Sequence, residues 1–230
     1  MNRVPHIFFR FATQLFAILL GVLFIWLLLS EMSRPSIQRL PTDQVSAAAA
    51  EKWRGAAAFA ASIGVIRGDL WAESAFTYSN LLWDAADPGK DLTQALQHAH
   101  LSLENALKLA PHESAAWLLL AALTSRYPSQ GFNATEALRM SYYTGPSERD
   151  FMPLRLRLVA TLNAFGDVEL KQFASRDVRS LVARKQTSAL AEAYKDASST
   201  GRRFIEQTVG DIDPSVVQSL RAGEQQHISN

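Results

Sequence analysis

The chain has 230 residues, is rich in alanine and leucine, and carries a formal net charge of +1. With Arg3 and Arg10 set aside the remainder is close to neutral, which excludes the basic surface that nucleic-acid binding requires. No cysteine is present, so disulfides, thiolate catalysis and Cys-ligated zinc are excluded.

Residues 1–10 form a short tail that holds both of those arginines. Phe11 to Leu29 then runs without a formal charge. At about 1.5 Å per residue it nearly crosses a hydrocarbon core of about 30 Å. Thr13 and Gln14 lie near one end, and Trp26 lies near the other, where amphipathic rings favour the interface. Positive charge ahead of the run predicts a cytoplasmic N-terminus and an exported C-terminal domain. A cleaved signal peptide is the alternative, but its apolar core is about 7–15 residues with an A-x-A-like exit. Leu29-Ser30-Glu31-Met32 offers no such exit, which favours an uncleaved anchor over 11–29 in an inner (plasma) membrane. No face of the run is polar, which argues against a buried core helix.

Residues 30–43 contain Pro35 and Pro41 and read as an exposed linker. Thr42 or Asp43 suits the cap of a helix that begins at Gln44. The alanine-dense stretch Gln44–Arg67 predicts one helix, with Trp53, Ala57, Ala60 and Gly64 on a tight-packing face. Gly68-Asp69 breaks or caps it. Leu70–Ala85 predicts a second helix with a stripe of Trp71, Ala75, Tyr78 and Leu82. Asp87-Pro88-Gly89-Lys90 is a turn by composition, and Asp91 suits the cap of the next helix. Within the second helix, Glu73-Ser74 resembles the Glu-Ser opening of lytic transglycosylases. That resemblance implies a carboxyl held protonated in an apolar cleft as general acid. The Gly-Leu-Met-Gln-like segment of that family is missing here, and the other reading of Glu73 is a solvated glutamate on a helix.

Gln94 to Pro146 carries a repeated plan. Ala99, Leu103 and Ala106 share one helix face, and Pro111 stops the helix, because it has no N–H to donate. Trp117, Leu120 and Ala121 open the next helix. Ala134, Leu138 and Ser141 repeat the four-then-three spacing, and Pro146 closes it, 35 residues after Pro111. This resembles the tetratricopeptide repeat, whose period is about 34. The resemblance covers about one full repeat and the second half of the one before it. The aromatic expected late in the first helix is absent, since Thr124 stands there, and the second helix carries one inserted residue. The pair 70–85 and 91–109 reads as a degenerate repeat ahead of the better one. The bland alternative is an ordinary helical hairpin.

Pro153 to Phe165 predicts a helix whose Leu154, Leu158 and Leu162 form a stripe, with Pro153 in its first turn. Arg155 and Arg157 flank the stripe, either solvated or bound to an acidic partner. Gly166-Asp167 turns and caps the chain. Val168–Lys185 follows, with Leu170, Phe173, Ala174, Val178, Leu181 and Val182 inward. Thr187–Ala197 and Thr200–Val209 are shorter helical pieces, and Pro214–Leu220 adds a turn at most. Residues 211–230 read as a polar, frayed tail.

The sequence has no metal-protease, Walker, Rossmann, nucleophile-elbow or EF-hand motif. His98 and His100 do not converge on one helix face. No cofactor or metal is expected. The fold class is therefore all-α: one transmembrane helix, then antiparallel hairpins stacked as a short tetratricopeptide-like α-solenoid over 44–210. The resemblance implies a non-catalytic scaffold that holds a protein or peptide partner on its concave wall. Ser125, Arg126, Tyr142 and Arg155 are the candidate partner-binding residues, and of Tyr142-Tyr143 one tyrosine is expected to pack and the other to stay half exposed. By analogy, the scaffold suits cell-envelope or surface-polysaccharide assembly. Two alternatives stay open: a cell-wall glycan hydrolase acting through Glu73, and an oligomerisation module with a wide apolar patch after Gly166.

Overall fold

The structure is a computed structural model that describes residues 4–34, 39–83, 90–128 and 131–228. Among the described residues every regular element is helical. The apolar N-terminal run becomes α1 (Val4–Met32), and its span Phe8–Met32 is long and apolar enough to cross a membrane. From Phe8 to Ile25 its side chains are exposed, and among the described side chains those near Trp26 and Ser30 meet the rest of the protein. The domain continues with α2 (Gln44–Glu51), α3 (Arg54–Ile63), α4 (Gly68–Phe76), α5 (Lys90–Leu109), α6 (Ser114–Arg126) and α7 (Ala134–Thr144). Then come α8 (Met152–Leu162), α9 (Val168–Ala183), α10 (Thr187–Asp196), α11 (Ser199–Gly210) and α12 (Pro214–Ile228).

The boundaries have local causes. Asp43 accepts the Ser46 N–H at 2.9 Å and starts α2. Asn133 accepts from Thr135 and Glu136 at 2.9 and 3.3 Å and starts α7. Asp167 accepts from Glu169 and Leu170 at 2.9 and 3.2 Å and starts α9. Each satisfies N–H groups that the first helical turn leaves free. At the far ends, α5 stops just before Pro111 and α7 at Gly145, just before Pro146. Lys185, at φ 58°, closes α9 in the left-handed region while the Gln186 N–H returns to the Leu181 carbonyl at 3.0 Å.

The core centres on α6. Leu118, Leu119, Leu120 and Leu123 are buried on several sides of this helix, as befits a helix apolar all round. It packs most extensively on α7 and also meets α5, α8 and α4, while α4 packs chiefly on α5. Ala99, Leu103 and Ala106 are completely buried, as their shared face predicts. Trp117 is half-buried, and its indole N–H donates to the Pro111 carbonyl at 2.8 Å. One continuous apolar core runs from Leu40 through α4–α9 to Leu220. Truncating any of the α6 leucines to alanine costs about 2–5 kcal/mol in such packing.

Three expectations are revised. The stretch 44–67 is two helices, because the chain turns at Lys52 and Trp53. The helix expected over 70–85 begins at Gly68 and ends at Phe76, followed by a 3-10 turn at Ser79–Leu82. The C-terminal segment forms α12, which lies on α10 and α11 and buries Leu220. Its apolar face is short, which hid it among polar neighbours. The expected turn at 87–90 and the cap at Asp91 lie outside the described residues and side chains.

Candidate functional site

Three constructions concentrate the chemistry of this domain. The first joins α1 to the domain. Arg34, just beyond α1, donates through Nε to both Glu73 oxygens at 2.8 and 3.0 Å, and its Nη2 also meets Oε1. Arg67 reaches Glu31 at 2.9 Å and Asp69 at 2.6 Å, and Arg34 also contacts Glu31 at 3.2 Å. Two cations thus lace three carboxylates across the junction. Glu73 is only 3% exposed. Burial pushes its carboxyl above the ordinary value, with Arg34 pulling the other way, while the same pair raises the Arg34 guanidinium. Glu73 is therefore neither a solvated surface residue nor an open-cleft acid. Its position three residues after Leu70 and three before Phe76, both buried, was the signal in the sequence.

The second construction is internal. Arg155 is completely buried. Its Nε donates to Ser141 Oγ at 3.0 Å, Nη1 to the Gly145 carbonyl at 2.9 Å and Nη2 to the Ser141 carbonyl at 2.5 Å. These acceptors close the C-terminus of α7, where carbonyls lack helical partners and a cation is favoured. The guanidinium stacks 4.7 Å from the Tyr142 ring centroid. The Tyr142 hydroxyl donates to Asp177 Oδ2 at 2.8 Å. Burial pushes Asp177 up to about 6 and Tyr142 well above its ordinary value, and it lowers Arg155. Tyr142 and Arg155 were expected at a partner surface, and this is corrected: both are core residues, and neither is accessible. Tyr143, by contrast, is half-exposed and donates to Glu169. Asp177 was not anticipated. It falls on the buried stripe of Ala174, Val178 and Leu181, so a carboxylate among apolar positions was the available sign.

The third construction is open to solvent. Ser125 and Arg126 line a groove of about 250 Å³ together with Trp83 and Arg157. Its cations are engaged within the fold: Arg126 donates to the Leu82 carbonyl at 2.5 Å, and Arg157 pairs with Asp196 at 2.6 Å. A larger groove, about 1030 Å³, runs between α2 with the segment that precedes it and the turns that precede α6 and α8. Leu40, Ala50, Phe76 and Ala115 supply a buried apolar floor, and Trp53 stands half-exposed on the lip. Among the described residues Glu113, Glu148 and Asp150 line it against one cation, Arg39, which lies 3.7 Å from Asp150 with both side chains largely exposed. This groove was not foreseen, because its lining comes from segments far apart in the chain.

Among the described residues no group of three or more histidine or acidic side chains could hold a metal ion. Compared with protein-family models, curated proteins and solved structures, the chain matches none.

Proposed function

We propose that the protein is a membrane-anchored, non-catalytic scaffold whose helical domain, a short tetratricopeptide-like array, holds a partner protein outside the cytoplasm. The observation that carries this reading is the large groove. An apolar floor, a tryptophan lip and an excess of carboxylates suit an extended segment that brings one basic side chain between apolar neighbours. Exposed carboxylates add modestly to affinity and more to selection of the partner's charge. Arg3 and Arg10, ahead of the uncharged run Phe11–Leu29, support a cytoplasmic N-terminus and a periplasmic domain. The packing of α4 on α5 and of α6 on α7 supports the stacked hairpins.

The rival reading, glycan hydrolysis through Glu73, requires a protonated carboxyl facing substrate. Glu73 is buried and engaged by Arg34 through both oxygens, which favours the scaffold. The experiment is photo-crosslinking in native membranes from a reactive residue at Trp53, in the parent and in a Glu148→Lys, Asp150→Lys variant. A defined adduct at Trp53 that the charge reversal abolishes, with the variant still folded and in the membrane, is expected. Equal labelling in both, or hydrolysis of wall glycan lost in Glu73→Gln, overturns the proposal.

A further inference from the structure

The anchor does more than tether the domain, because it fixes one part of the domain at a particular depth. Trp26 Nε1 donates to the Ile63 carbonyl at 2.7 Å. This bond sets the last residue of α3 level with position 26 of α1. Met32, the end of α1, is about 9 Å further along the helix axis. The charged layer lies at that end of α1: Arg67 reaches Glu31, and Arg34 reaches Glu73. Between Trp26 and that layer sits the turn Gly64-Val65-Ile66, in which Val65 is 63% and Ile66 68% exposed.

The sequence on this side of the domain matches that depth. Gly55 to Ile66 carries no charged residue. Phe59 is 58% exposed on the helix leading to the turn. Some polar groups near the tip are satisfied internally, whereas the Val65 and Ile66 N–H groups make no backbone bond, which suits the interfacial level of a leaflet rather than its hydrocarbon centre. Gly64 N–H donates to the Ala60 carbonyl at 2.9 Å and Arg67 N–H to the Gly64 carbonyl at 2.5 Å. The Ser62 hydroxyl returns to the Phe59 carbonyl at 2.7 Å.

We infer that the α3–α4 turn, with Phe59 beside it, enters the same bilayer leaflet as the C-terminal half of α1 and forms a second, non-spanning membrane contact. The occupant of this apolar face is lipid, since the face continues the lipid-facing surface of α1 at the same level. The inference rests on α1 spanning the membrane.

The native chain has no cysteine, so single nitroxide labels can be placed without background. Full-length protein would be labelled at Val65→Cys, Ile66→Cys, Phe24→Cys or Glu104→Cys and reconstituted in phosphatidylcholine–phosphatidylglycerol vesicles. Collision with oxygen, which partitions into lipid, and with a water-soluble nickel chelate then reports depth. Labels at 65 and 66 are expected to share the high oxygen-to-nickel ratio of Phe24, several-fold above that of Glu104. If Phe24 is lipid-exposed while 65 and 66 match Glu104, the inference falls and the anchor stands. If Phe24 also matches Glu104, the anchor falls and the inference with it. Low collision with both reagents at 65 and 66 would set the turn against protein, such as a second copy, and also overturns it.

Discussion

Replacing Arg155 with methionine isolates what a buried cation contributes to this fold. The guanidinium bonds Ser141 Oγ at 3.0 Å, the Ser141 carbonyl at 2.5 Å and the Gly145 carbonyl at 2.9 Å, with no exposure to water. Charge-assisted bonds contribute about 1.5–3 kcal/mol each. Against them stands the desolvation of the cation, several kcal/mol, which methionine avoids. The carbonyls at the end of α7 and the Ser141 hydroxyl are left short of donors. The balance is a net loss of about 2–4 kcal/mol, or roughly 4–16 °C in Tm at about 2–4 °C per kcal/mol for a domain of this size. Calorimetry of the full chain in detergent measures it. Arg155→Lys should recover little, since an ammonium cannot span the same acceptors as the planar fork. A methionine variant as stable as the parent, or more stable, would refute the reasoning and mean that desolvation outweighs the bonds.

Asp177 should make stability depend on pH. Its folded value of about 6 stands above the ordinary 3.8, so the folded state keeps the proton longer and stability falls as pH rises between those values. Asp177→Asn should remove that component, about 3 kcal/mol at about 1.4 kcal/mol per pH unit, and parallel urea-melt profiles for both proteins would contradict it. Gly201 lets α11 approach α8: a methyl there would sit 2.6 Å from the Ala160 carbonyl oxygen. Gly201→Ala should therefore cost about 1–3 kcal/mol in denaturant melts despite its better helix propensity, and a stabilised variant would show the approach is not tight. Arg34→Ala leaves Glu73 buried without its cation and should cost about 3–5 kcal/mol. That carboxyl, already raised, rises further, so the deficit should deepen as pH increases, read by thermal melts at several pH values; a deficit that shrinks toward high pH contradicts the pairing. Asn133→Ala removes the cap of α7 and should cost about 0.5–2 kcal/mol, while an unchanged melting curve would mean that water caps the helix equally well.

The apolar N-terminal helix, the buried faces of α5 and α9 and the stops before Pro111 and Pro146 were legible, because each depends on residues a few positions apart. Periodicity and backbone chemistry act at that range. The ion network and the large groove were not legible in the same way. Arg34 and Glu73 meet across a separation of 39 positions, and no local rule states which distant carboxylate a cation will find. Arg155 misled for a related reason. Beside a leucine stripe an arginine ordinarily extends to water, but here the end of α7 supplies the acceptors that draw it inward. The break at Lys52–Trp53 was hidden by alanine, whose high helix propensity favours an unbroken helix on either side.

The bond from Trp26 to Ile63 and the lattice of charges above it leave the domain no free swivel on its stalk. A flexible tether would let the large groove sample every heading around α1. Held at two levels of one helix, the groove keeps a constant bearing relative to α1, so two copies aligned through their N-terminal helices would present it in the same orientation.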